Sequence, residues 1–234
     1  MELRNLRTSY KLASPFPHIV IDEFITPKDA RVCVAEMKEY EQWGHDGSEY
    51  SKQAQVNKFF TPWCDDNIQD IKRDMPITWK YLEFFNSPEF LEHLENLTGI
   101  ENLIADDTYE GGGCHKIDSG GRLSIHTDYS KHPRKDLYRR INLLLYLNDG
   151  WQDEWGGTLQ LLDYESKTLI KEVQPTMNRA VIFNTTDKSL HGHPHNLNTP
   201  GDKSRYSIAL YYFTKEKPGD LQEETNAAIW YHNV

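Results

Sequence analysis

From about residue 105 onward the chain becomes a succession of short runs rich in β-branched, leucyl and aromatic residues, cut by Gly, Pro, Asn and Asp, with no helical stretch between them. Segments 114–117, 122–126, 140–147, 158–163, 169–173, 180–184 and 205–213 read as strands. Seven short strands without intervening helices point to an all-β sandwich or jelly roll. Before residue 105 the signals are different. A strand at 18–24 is followed by Thr26-Pro27-Lys28-Asp29, in which Thr26 can cap a helix, Pro27 suits its first position and Asp29 favours its positive end. Ala30, Cys33, Val34, Met37 and Tyr40 then share one helical face. Ser87-Pro88-Glu89 opens a second helix in the same way, with Phe90, Leu91, Leu94 and Leu97 as its apolar stripe and Gly99 as its stop. The expected architecture is one mainly β domain with flanking helices. Residues 1–104 give helical support and an opening strand, 105–214 a jelly-roll core against whose one side the helices pack, and 215–234 a C-terminal tail.

Composition narrows the function classes. Hydrophobic residues make up 38% and aromatics 12% of 234 residues, enough for a packed core. No apolar run approaches the ~20 residues that cross a bilayer, and the N-terminus lacks a signal-peptide stretch, so a soluble cytoplasmic protein with no membrane partner is expected. Cys33, Cys64 and Cys114 are too few, and wrongly spaced, for a disulfide framework or a cysteine-based zinc site. A net charge of −10 makes nucleic acid a poor partner. The one basic cluster (Lys131, Arg134, Lys135, Arg139, Arg140) is interrupted by Asp136 and reads as a solvated loop.

The chemistry begins at His126-Thr127-Asp128. In an extended segment residues i and i+2 face the same way, so imidazole and carboxylate converge. With 10 His in the chain such a triplet is expected about once by chance. Its weight comes from an ordered set of residues downstream: Gly156-Gly157-Thr158-Leu159, Asn178-Arg179-Ala180-Val181-Ile182-Phe183, His191, and Arg205-Tyr206-Ser207. Two His and one carboxylate suit Fe(II) and leave three adjacent coordination positions open. A 2-oxo acid can fill two and O₂ the third. The distal carboxylate of 2-oxoglutarate then needs a cation, and Arg binds a carboxylate bidentately without losing its charge. Arg205 shares a strand face with Ser207 and Ala209 inside an apolar run. It is expensive to bury there unless paired, either by such a ligand or by an internal acid such as Asp163 or Glu172.

Taken together, H-T-D (126–128), R-R-I-N-L-L-L-Y-L-N (139–148), W-x4-G-G-T-L (151–159), P-x2-N-R-A-V-I-F (175–183), H-G (191–192) and R-Y-S-I-A-L-Y-Y-F (205–213) resemble the prolyl 4-hydroxylase-like branch of the 2-oxoglutarate/Fe(II) oxygenases, as does the opening P-F-P-H-I-V-I-D-E-F-I-T (15–26). The resemblance implies a double-stranded β-helix with the metal at one mouth. It implies His126, Asp128 and His191 as iron ligands, His191 being preferred over His193 and His195 because the family sets its ligand before a small residue and some 10–14 residues ahead of the Arg. His193 would stand behind it and His195 in a loop. Arg205 and Ser207 would hold 2-oxoglutarate, with Tyr146 reaching its distal carboxylate and Leu159 an apolar wall; Asn142 stands where relatives carry Thr. Tyr146 as plain strand core is the rival reading. Relatives also carry a cosubstrate-binding Tyr about ten residues before the first ligand, and here His115 or Ile117 stands there instead.

The implied reaction is hydroxylation of an unactivated C–H bond with succinate and CO₂ as co-products, ascorbate being a further expected reductant. The intact Asp128 favours hydroxylation over halogenation. The implied substrate is a prolyl or other residue of a peptide or protein, with a free amino acid or small natural product as the alternative. Loops 111–113 and 129–132 either surround the mouth or are ordinary surface loops, and Trp63 and Trp151 either line a substrate groove or fill core. A non-catalytic jelly-roll metal-binding module, and a cupin-like metal enzyme that does not use 2-oxoglutarate, are the rival classes; a buried Arg205 counts against both.

Overall fold

The computed structural model describes residues 3–45, 54–61 and 65–231. A 3₁₀ turn, Leu3–Leu6, leads into α1 (Arg7–Leu12), followed by β1 (His18–Ile21), α2 (Pro27–Glu39), β2 (Gly44–His45) and β3 (Gln55–Phe60). Helices α3 (Asp65–Asp74), α4 (Pro76–Phe85) and α5 (Pro88–Thr98) come next. The remainder is strand: β4 (Ile104–Ala105), β5 (Gly113–Thr127), β6 (Tyr138–Tyr146), β7 (Leu159–Leu162), β8 (Leu169–Val173), β9 (Arg179–Asn184), β10 (Leu190–His193), β11 (Arg205–Thr214) and β12 (Ile229–Tyr231). The helix caps form as the sequence predicts. Thr26 accepts from the Asp29 amide at 3.2 Å, Ser87 accepts from the Phe90 amide at 3.3 Å, and Gly99 ends α5 in the left-handed region.

All pairings are antiparallel, in the order β1-β9-β6-β11-β5-β10-β7-β8. Strand β5 joins the two layers of the roll. Its first part, 113–117, pairs with β11, and on the same edge His126 and Leu123 pair with β10. The other edge carries β3 and then β12. The two strands expected at 114–117 and 122–126 are therefore one strand. Gly120 (φ +77°) and Gly121 make the bend between its halves, and a Cβ at Gly121 would lie 2.5 Å from Ile117 and 2.8 Å from the Val56 carbonyl.

Alternation along β6, β9 and β11 divides the core. Ile141, Leu143, Leu145, Ala180, Ile182, Ile208, Leu210 and Tyr212 face out of the roll and pack with Met37, Leu82, Phe85, Phe90, Leu94 and Leu97 of the helices. Each such fully buried side chain contributes about 1.5–3 kcal/mol. Tyr146, Val181 and Phe183 face inward, where they meet Leu159, Leu161 and Val173. The structure is the expected double-stranded β-helix with its helices on one side. Among the described residues no helix is long and apolar enough to cross a membrane.

One sequence expectation is overturned. Arg139 does not belong to a solvated loop; it lies in β6, 2% exposed. The register between β11 and β6 steps from Tyr212↔Ile141 to Phe213↔Arg139, so Arg140 is bulged out and Arg139 turns to the inner face. Cys33 and Cys114 are buried free thiols, whereas Cys64 and Trp63 fall outside the described residues. Trp151 packs with Ile117 and Leu197, and its indole N–H donates to the Gly156 carbonyl.

Candidate active site

His126 ends β5, Asp128 follows it, and His191 of β10 is the direct cross-strand partner of His126. One ligand atom from each of the three lies within 4.8 Å of the others. Asp128 Oδ1 is 3.6 Å from His126 Nε2, and Oδ2 is 3.4 Å from His191 Nε2. In both histidines Nδ1 lies 2.9 Å from the carbonyl of the residue two earlier, Ser124 or Ser189. A carbonyl only accepts, so Nδ1 carries a hydrogen in each, and each Nε2 faces Asp128. Burial, and then the neighbouring His126, hold the His191 imidazole down to about 4, in the neutral form that a metal ligand requires.

Between those two histidines and the barrel runs a close approach. A Cβ on Gly192 would lie 2.7 Å from the Ser124 carbonyl oxygen. The small residue that the sequence places after His191 thus has a local reason: β10 could not otherwise lie against β5.

Asp128 is held from behind. Its Oδ2 accepts from Asn142 Nδ2 at 2.7 Å and lies 3.1 Å from Arg139 Nη2, while Arg139 Nε donates to Asn142 Oδ1 at 2.9 Å. The Arg139 guanidinium lies 3.5 Å from the Tyr211 ring centroid and 4.6 Å from that of Tyr129, the two rings standing at 89° to each other. Burial alone would push the Asp128 carboxyl up, but Arg139, His191 and His126 outweigh it and hold it well below the usual carboxylate range. Asn142 therefore meets the carboxylate rather than standing alone at the wall.

A cavity of about 500 Å³ extends from this cluster to Arg205. Leu159, Tyr146, Ser207, His115, Ile117 and His193 line it, as does Lys58 from β3. Arg205 is 4% exposed, donates from Nε to the Gly157 carbonyl at 2.9 Å, and lies 4.7 Å from the Tyr146 ring centroid. A Cβ on Gly157 (φ +73°) would come within 3.0 Å of Arg205 Cδ, so the glycine makes the seat for this side chain. Asn148 fixes the start of β11 by accepting from the Tyr206 amide at 2.7 Å. Among the described residues no carboxylate pairs with Arg205. Asp163 instead caps Ser166 and Glu172 meets Gln160, so neither of the two acids that the sequence offered as partners meets the arginine. The Tyr146 hydroxyl has no hydrogen-bond partner among the described residues, and Tyr146 and His115 are the two cross-strand neighbours of Ser207.

The remaining histidines separate clearly. His115 places Nε2 3.2 Å from the Gly111 carbonyl. His193 is buried in the cavity wall, outside the three-ligand cluster, and His195 is exposed. Both expected loops reach the mouth: Tyr129 donates to the Glu110 carbonyl, and Gly111 accepts from the Tyr211 hydroxyl. Two cavity residues had no sequence signal beyond composition. Arg139 is reoriented by its bulge, and Trp230 of β12 lies with its ring 4.7 Å from that of His126. The donor set of two imidazoles and a carboxylate, with the buried Arg205, which meets no acid among the described residues, along the same cavity, fits Fe(II) and a 2-oxo dicarboxylate.

Residues 112–213 match the model of the 2OG-Fe(II) oxygenase superfamily. Over 129 residues, 53% of this chain, the sequence is 28% identical to prolyl 3-hydroxylase OGFOD1 of Mus musculus, and it spans 22% of that protein's length. Among solved structures, a Trichoplax adhaerens prolyl hydroxylase in complex with a hypoxia inducible factor oxygen degradation domain peptide superposes with a TM-score of 0.64 at 18% identity, covering 91% of this chain and 90% of that one. A Pseudomonas putida prolyl-4-hydroxylase gives a TM-score of 0.61 at 18% identity, covering 92% and 100%. These structural likenesses establish the fold.

Proposed function

We propose that this chain is a 2-oxoglutarate- and Fe(II)-dependent dioxygenase that hydroxylates a prolyl residue of a peptide or protein, releasing succinate and CO₂. The observation that carries the reading is Arg205: a buried guanidinium without an acidic partner among the described residues, in the cavity that also holds the two-histidine, one-carboxylate cluster. Held by Nε2 of His126, a carboxylate oxygen of Asp128 and Nε2 of His191, Fe(II) would supply, with 2-oxoglutarate and O₂, the oxidising chemistry.

The chain's own residues do the rest. Asn142 and Arg139 occupy Asp128 Oδ2 and leave Oδ1 for the metal. Ser124 and Ser189 hold both imidazoles in one tautomer. Arg205, with the Tyr146 and Ser207 hydroxyls, receives the distal carboxylate, while Leu159 and Ile117 keep that end of the cavity dry. Glu110, Arg134, Ala227 and Ala228 also line the cavity, and a peptide substrate would be met there. The relatives named as prolyl hydroxylases, one of them in complex with a peptide, support a prolyl substrate. A cytosolic setting is supported by the buried free thiols of Cys33 and Cys114, and ascorbate is the reductant we expect to sustain turnover.

Anaerobic addition of Fe(II) and 2-oxoglutarate should give a visible metal-to-ligand charge-transfer band, and in air the chain should release succinate. Without the band the 2-oxoglutarate reading fails. Succinate release alone rules out the non-catalytic module. Mass spectrometry of a proline-containing peptide library should find a gain of one oxygen; a gain on free amino acids alone would move the assignment to a small-molecule hydroxylase.

A further inference from the structure

His193 is the polar group in this cavity for which the proposed reaction has no task. It is 3% exposed and lines the cavity, and neither of its ring nitrogens has a hydrogen-bond partner among the described residues. An imidazole can donate through at least one nitrogen in either protonation state, and leaving such a donor buried and unsatisfied costs about 1–3 kcal/mol. The cost is the kind that a ligand removes.

Strand register places the ring. Antiparallel β10 and β7 pair Leu190 with Leu162, His191 with Leu161 and Gly192 with Gln160. Beyond Gly192, His193 pairs with Leu123 of β5 after a register shift, and it lines the cavity together with Leu159 and Arg205. From His191 to His193 the strand advances about 7 Å. His193 thus flanks the space between the metal cluster and the guanidinium. His115, the other histidine at this depth, already engages the Gly111 carbonyl.

Resting on the dioxygenase reading, we propose that His193 is a positioning residue for the cosubstrate: its ring N–H donates to the distal carboxylate of 2-oxoglutarate, beside Arg205. A carboxylate offers about four lone-pair sites. Arg205 spends its Nε on Gly157, and the His193 ring N–H adds a donor to the terminal guanidinium nitrogens and the Tyr146 and Ser207 hydroxyls around the buried acid.

The test compares two ligands on the Fe(II)-loaded chain under anaerobic conditions by titration calorimetry: 2-oxoglutarate, and 2-oxovalerate, which has the same chain length with a methyl in place of the distal carboxylate. His193→Val should weaken 2-oxoglutarate binding about ten- to a hundredfold, the loss of one charge-assisted hydrogen bond. It should leave 2-oxovalerate binding unchanged, which also shows that the variant is folded. His193→Gln, which keeps an N–H donor, should recover most of the loss. Unchanged 2-oxoglutarate affinity in His193→Val, equal weakening of both ligands, or loss of Fe(II) binding would each overturn the proposal. Those outcomes concern His193 alone when the unaltered chain binds 2-oxoglutarate; failure of the unaltered chain to bind overturns the dioxygenase reading with it.

Discussion

Two arginines in this molecule are buried for opposite reasons, and the difference can be measured. Arg139 is matched from within, by Asp128 and by the faces of Tyr129 and Tyr211. Arg205 has no internal acid among the described residues. Arg139→Met should therefore act on the metal. Loss of the group that holds the ligand carboxylate should weaken Fe(II) affinity about ten- to a hundredfold in anaerobic titration, and leaving Asp128 unpaired should lower stability by about 3 kcal/mol in denaturant. Arg139→Lys should not restore either, because an ammonium lacks the planar fork that meets Asn142 and Asp128 while lying against the Tyr211 ring. Arg205→Met should do the reverse: Fe(II) binding intact and 2-oxoglutarate binding weakened about a hundredfold. His126, Asp128 and Arg205 stood out in the sequence through the ordered set of motifs they belong to, strand parity adding the face on which each was expected. Arg139 did not, because a single bulged residue, Arg140, reverses parity at that point and nothing local announces it.

At the scale of elements, the site depends on how closely β10 lies against β5 and how firmly the mouth loops are tied. Gly192→Ala would drive a methyl into the Ser124 carbonyl and push His191 away from His126, so Fe(II) affinity should fall even though no ligand is altered. The loops are tied by Asp106, 3% exposed, which accepts from the amides of Thr108 and Glu110, the Thr108 hydroxyl and Lys135, and faces His132 Nε2 at 3.4 Å. Burial pushes its carboxyl up, but the Thr108 and Glu110 donors and His132 hold it below the ordinary carboxylate value. A depressed folded value means stability that is present above the unfolded pKa and lost as pH falls through the folded one. Asp106→Asn should thus cost about 1–3 kcal/mol at neutral pH and flatten the acid limb of a stability–pH curve; equal slopes in variant and parent would refute this. Helices α2 and α5 were legible from their caps, and most core strands from alternation. Strands β3, β10 and β12 were not, since short polar segments such as Leu-His-Gly-His become strands only through partners far away in sequence.

Across the whole molecule, one strand links everything: β5 pairs with β11, β10, β3 and β12, so both layers, the support region and the C-terminal segment meet at the strand that carries His126. The jelly roll followed from seven runs without helices; the part played by residues beyond 215 did not, because Trp230 acquires its place only by pairing with His126. Arg205 has a consequence on this scale as well. Among the described residues no acid balances this interior cation, and 2-oxoglutarate would supply the counter-charge. At a hundredfold excess over its dissociation constant, a ligand bound only by the folded state adds about 2.7 kcal/mol of stability. With metal present, the melting temperature should therefore climb with 2-oxoglutarate concentration, by about 5–10 °C at that excess, and should stay flat in Arg205→Met. The persistence of the folded enzyme would then follow the carbon status of its surroundings, even where no substrate is being turned over.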